Sequence, residues 1–96
     1  MCKQAWSIIS VNVLIVDDEP EFLRRFTEAV RTGPALRLCG AVETVAAARV
    51  LIDSTLVDVV LTDLGLPDSN GVEVIRHAIA RHQQCDVLVV TICAFH

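Results

Sequence analysis

Two short runs of aliphatic residues end directly in aspartate, and this pairing constrains the fold more than any other feature. Val13-Leu14-Ile15-Val16 leads into Asp17-Asp18-Glu19, and Val59-Val60-Leu61-Thr62 leads into Asp63. Neither run alternates apolar with polar residues, so each reads as a strand buried on both faces, the pattern of a parallel sheet covered by helices. In an open α/β sheet, ligands sit beyond the carboxyl ends of the strands, where strand order reverses. Asp17, Asp18 and Asp63 are therefore expected to share one pocket.

Helical and strand signals alternate along the rest of the chain. The first strand is expected at about 11–16. Pro20 suits the first turn of a helix, with Glu19 and Glu21 at its positive end. Phe22, Leu23, Phe26, Ala29 and Val30 follow at helical spacing until Gly33-Pro34 stops the helix. A second strand over 36–42 carries Arg37 and Gly40, which places it at a sheet edge. Thr44 caps a helix over 45–53, and a third strand covers 58–62. A loop with Pro67 then runs to a cap at Ser69 or Asn70. Val72, Ile75, Ala78 and Ile79 give the third helix its expected buried stripe, ending near His82. A fourth strand is expected over 86–92. The order is βαβαβαβ, with connections suited to right-handed crossovers.

Composition narrows the function. Ninety-six residues make one small domain, 53% apolar. A net charge of −4, with Arg24-Arg25 as the only adjacent basic pair, argues against direct nucleic-acid binding. Cys2, Cys39, Cys85 and Cys93 form no CxxC, so reduced thiols in a cytoplasmic protein are expected. Lys3 and the apolar stretch 5–16 resemble a secretion signal, but Asn12 interrupts the stretch and three acids end it; a disordered lead over 1–10 is expected instead. No segment reaches membrane-spanning length. Acids stand where a dinucleotide fingerprint needs glycines, which excludes that cofactor site.

Chemistry follows from the acids. Two unit charges ~4 Å apart repel by about 4 kcal/mol at an effective dielectric near 20. A pocket of oxygens that is partly hydrated suits Mg²⁺ better than Zn²⁺. One acid would suffice to cap the first helix; two in succession at a strand end, followed by Glu-Pro, fit a cation better. A metal beside an exposed aspartate is what phosphoryl transfer onto a carboxylate needs. Gly65 lets the backbone approach closely, so that its carbonyl can ligate the metal. The hydroxyl of Thr91, near the end of the fourth strand, can meet a phosphoryl oxygen. His77 and His82 receive no role. Asp53, Asp58, Asp68 and Asp86 are assigned to turns, caps or the surface.

With these residues the chain, from about 11 to 91, resembles the receiver domain of two-component response regulators. The resemblance implies a flavodoxin-like three-layer sandwich whose parallel sheet has order 2-1-3-4-5, of which four strands in the order 2-1-3-4 are expected here. It implies that Asp63 accepts a phosphoryl group from the phosphohistidine of a sensor histidine kinase or phosphotransfer protein. It implies Mg²⁺ held by Asp17 or Asp18, by Asp63 and by the backbone carbonyl of Gly65, and Thr91 as the hydroxyl that swings toward the phosphoryl group. The wording Leu64-Gly65-Leu66-Pro67-Asp68 is most similar to regulators with a helix-turn-helix output domain.

The departures matter too. The family continues past the fourth strand with a helix, a fifth strand bearing a phosphate-contacting lysine, and a last helix. The only lysine here is Lys3. An incomplete receiver over 11–96 is expected, with slow phosphorylation and self-association through an exposed fourth strand. Two other readings stand beside it: a binding module that engages a kinase or full-length regulator without receiving phosphate, and an inactive fragment. A phosphohydrolase needs a general acid two positions after the nucleophile, where this chain has Gly65, so no enzymatic turnover is expected.

Overall fold

The computed structural model describes residues 10–82 and 84–89. The expected disordered lead, the end of the fourth strand, Lys3 and Thr91 therefore lie wholly or almost wholly outside the described residues.

Four parallel strands, β1 (Val11–Val16), β2 (Leu36–Val42), β3 (Val59–Thr62) and β4 (Asp86–Val89), form one sheet in the order β2-β1-β3-β4. Helices α1 (Pro20–Thr32), α2 (Val45–Ser54) and α3 (Gly71–Arg81) connect them. The expected order holds, the boundaries that fall among the described residues hold to within a residue or two, and β2 is an outer strand of the described sheet. Its register slips at Cys39, so that Val13 faces Leu38 and Leu14 faces Gly40. Gly40 leaves room there for the side chain of Leu51 from α2, which any Cβ would displace.

Alternation along β1 sorts its side chains to two faces. Val13 and Ile15 pack with Val30, Leu23 and Phe26 of α1. Leu14 and Val16 pack with Val45, Ala48 and Ile52 of α2, and with Val74 and Ala78 of α3. The result is the expected three layers. Val60 continues the second cluster, while Val59 and Leu61 join the first. Leu88 stands in register with Leu61, on the face that carries α1, and is 54% exposed.

One expectation about packing is corrected. The buried residues of α3 are Gly71, Val74 and Ala78; Val72 and Ile75 are half-buried and Ile79 is exposed. The sequence offers two overlapping apolar stripes on this helix, and the core with Leu14, Val16 and Ile52 takes the one through Val74 and Ala78.

Candidate metal and phosphoacceptor site

Helix connections lead from β1 to a partner strand on one side, β2, while β3 lies on the other, so the strand order reverses between β1 and β3. Val16 pairs with Thr62 at the carboxyl end of that seam, and the next residues are Asp17 and Asp63. The amide of Asp17 donates to Val42 O at 2.9 Å, and the amide of Asp63 donates to Val16 O at 3.0 Å. Each acid is thus held by the backbone of the neighbouring strand.

The carboxylates of Asp17, Asp18 and Asp63 each bring an oxygen into a group whose members lie within 4.8 Å of one another. Asp17 is buried, Asp63 half-buried and Asp18 exposed. Asp17 Oδ1 accepts from the amide of Glu19 at 2.9 Å. Burial pushes the Asp17 carboxyl above its ordinary range; the Glu19 amide works against this, and the nearby charges of Asp63 and Asp18 add to it. Among the described residues, the charges that bear on this buried carboxylate are all negative. The donor set, all carboxylate oxygen with one side open to water, fits a hard divalent cation such as Mg²⁺. The expected convergence of Asp17, Asp18 and Asp63 is therefore present.

The backbone of Asp63 is fixed from three directions. Besides its amide bond to β1, its carbonyl accepts from Thr62 Oγ1 at 2.9 Å. The Cα of Gly71 packs on that same carbonyl, and the Gly71 amide donates to Leu64 O at 2.7 Å. The loop from Asp63 to Gly71 is closed further by an antiparallel bridge between Gly65 and Asn70.

A Cβ built at Gly65 would meet nothing within 4 Å, and its φ is not positive. Of the two glycines in this loop, Gly71 is the one crowded by protein atoms. The Gly65 amide is 3.4 Å from Asp63 Oδ1, a long and weak contact.

Asp68 was legible only as a generic turn, cap or surface acid, and the structure gives it a partner. Its two oxygens accept from Val45 N at 2.9 Å and Ala46 N at 3.0 Å, in the first turn of α2. Those amides hold its carboxyl below the ordinary range. The signal was an acid after Pro67, but nothing local names a helix 23 residues earlier as its partner. At the opposite end of α2, His77 Nε2 meets Asp53 Oδ1 at 2.7 Å and His82 Nε2 meets Ile52 O at 2.8 Å. The two histidines thus join α3 to α2, far along the helices from the acids. Burial pushes the Cys39 and Cys85 thiols up, as expected of reduced structural cysteines.

Comparison with known proteins agrees with this geometry. The sequence model of the family described as "Response regulator receiver domain" matches residues 13–94. The chain is 32% identical over 82 residues to a protein-glutamate methylesterase/protein-glutamine glutaminase of Vibrio vulnificus, covering 85% of this chain and 24% of that protein. It is 28% identical over 82 residues to the transcriptional regulatory protein CitB of Klebsiella pneumoniae, covering 85% of this chain and 35% of that protein. The chain thus spans about a quarter to a third of these curated relatives. Among solved structures, the signal receiver domain of the response regulator NarL from Mycobacterium tuberculosis superposes with a TM-score of 0.76 at 28% identity, covering 86% of this chain and 67% of that one. RcsB of Salmonella typhimurium superposes with a TM-score of 0.78 at 21% identity, covering 90% of this chain and 44% of that one, a likeness of fold.

Proposed function

The chain belongs to the response regulator receiver domain family, and we propose that it is a phosphoacceptor whose acceptor is Asp63. The donor is the phosphohistidine of a sensor histidine kinase or phosphotransfer protein. A carboxylate oxygen of Asp63 forms a bond to phosphorus as the bond from phosphorus to the imidazole nitrogen breaks. The imidazole leaves with the electron pair and takes a proton from water. Bound Mg²⁺ would offset the charge on the phosphoryl oxygens, held by Asp17, Asp18, Asp63 and the Gly65 carbonyl. Thr91 would supply a hydroxyl to the transferred group.

The observation that carries this reading is the cluster of three carboxylates within 4.8 Å, at the point where strand order reverses. Asp17 supplies a buried anchor, and Asp63 is open enough to be reached. With Gly65 two positions after the acceptor, no general acid stands ready to release a product. The reading is of an acceptor in a cytoplasmic relay and not of an enzyme with turnover.

A groove of about 360 Å³ between α1 and β2, lined among others by Leu23, Arg24, Thr27, Arg31 and Ala41, favours a second reading. In it the chain engages a kinase or a full-length regulator through α1 without receiving phosphate.

Intact-mass measurement after incubation with acetyl phosphate and Mg²⁺ tests the first reading, with Asp63→Asn beside it. A phosphoryl adduct on the wild type and none on the variant is the expected result. No adduct, together with kinase binding that survives Asp63→Ala, would establish the binding module instead.

A further inference from the structure

We infer that Asp68 is a positioning residue for the acceptor pocket, fixing the loop between Asp63 and Gly71 to the start of α2. This rests on the phosphoacceptor reading of Asp63. α2 already has a cap of its own, since Thr44 Oγ1 accepts from Ala47 N at 3.1 Å and Thr44 O from Ala48 N at 3.1 Å. The remaining free amides of its first turn, on Val45 and Ala46, are taken by a carboxylate from a different element. The loop itself is held at one end by the Asp63 amide on β1, and at the other by the Gly71 amide on Leu64 O. Between those ends Gly65, Pro67, Asp68 and Ser69 are exposed, and only Leu66 is buried.

Leu66 anchors the loop without direction, because apolar burial tolerates rotation. The paired bonds of Asp68 supply the direction. They fix how the peptides of Gly65 and Leu66 lie relative to Asp17 and Asp63. A carboxylate accepting two amides of a helix start also gains from the helix dipole, so the tie is stronger than a neutral turn bond.

The test compares Asp68→Ala, Asp68→Asn and Thr44→Ala in the full chain, by amide hydrogen exchange and by Mg²⁺ titration. Thr44→Ala weakens the same helix end while leaving both Asp68 hydrogen bonds in place. Asp68→Ala is expected to speed exchange across 64–70 and to weaken Mg²⁺ binding by about tenfold, the scale of losing an outer hydrogen-bond partner of a metal site. Asp68→Asn, which keeps one good capping oxygen, should recover part of both effects. Thr44→Ala should lower the melting temperature while loop exchange and Mg²⁺ affinity stay near wild type. Unchanged loop exchange in Asp68→Ala, or equal effects from Thr44→Ala, would overturn the assignment. A wild-type chain that takes up no Mg²⁺ would refute the acceptor reading alone, and the exchange comparison would still decide the role of Asp68.

Discussion

The Cα of Gly71 lies against the carbonyl oxygen of Asp63, so the first residue of α3 touches the backbone of the residue that follows β3. A methyl group at position 71 would overlap that oxygen and crowd Leu64 Cα. Both neighbours are backbone and cannot rotate away. Gly71→Ala should therefore lower stability by about 1–3 kcal/mol, the usual cost of forcing extra volume into a packed site. Melting temperature in a chain of this size should fall by about 4–8 °C for each kcal/mol. Gly65→Ala, built into open space, should melt within a few degrees of wild type. Thermal denaturation of the two variants side by side checks the contrast.

Asp17 predicts how the metal-free protein responds to pH. A carboxyl whose folded pKa is raised above its unfolded value binds more protons when folded, so its contribution to stability falls as pH rises from the ordinary Asp range through the raised value. Asp53 and Asp68 are shifted the other way and act with opposite sign. The difference between wild type and Asp17→Asn isolates Asp17. Without Mg²⁺, the variant should be more stable at neutral pH and lose this advantage at pH 4 and below. Urea denaturation across that window decides it, and a constant difference would refute the account.

Mg²⁺ should reverse the penalty. A ligand that binds only the folded chain adds about 1.4 kcal/mol at tenfold its dissociation constant. The melting temperature of wild type should rise by several degrees on adding Mg²⁺. Asp17→Asn and Asp63→Asn should respond much less. Identical melts with Mg²⁺ and with a chelator would count against an assembled site.

At the far end of α2, Asp53 meets both His77 and Arg81, the latter at 3.0 Å. The His77 hydrogen bond, with help from the Arg81 charge, holds the Asp53 carboxyl below its ordinary range. A depressed carboxyl contributes stability that is present above its unfolded pKa and lost as pH falls through the folded one. Asp53→Asn should lower stability at neutral pH, and its acid limb should be shallower than that of wild type. Parallel acid titrations followed by circular dichroism would show this.

β4 carries the prediction about association. It is an outer strand of the described sheet, and Leu88 and Val89 are 54% and 45% exposed. Unpaired outer strands with apolar side chains invite pairing with another chain. Concentration-dependent self-association should appear in sedimentation velocity and weaken in Leu88→Glu. A monomer at all concentrations would remove this proposal.

The strands, their helices and the three acids were legible from local patterns of residues. A short, mostly aliphatic run followed by aspartate is a local statement: it marks a buried strand and places an acid where that strand ends, and both acids proved to adjoin one seam. Thr44 and Pro20 were legible for the same reason, and the cap of α3 was narrowed to Ser69 or Asn70, since capping and helix entry depend on neighbours within a few residues. Tertiary structure alone decided what depends on a partner far along the chain. Gly65 and Gly71 look alike in the sequence, yet only Gly71 has a backbone carbonyl against it. Val72 and Val74 are equally apolar, and only packing chose Val74 for the core. Asp68 is an acid after a proline until α2 is laid beside it. Local propensity specifies which element a residue joins; which face turns inward, and which amide a carboxylate reaches, is set by contacts between elements that no short window contains.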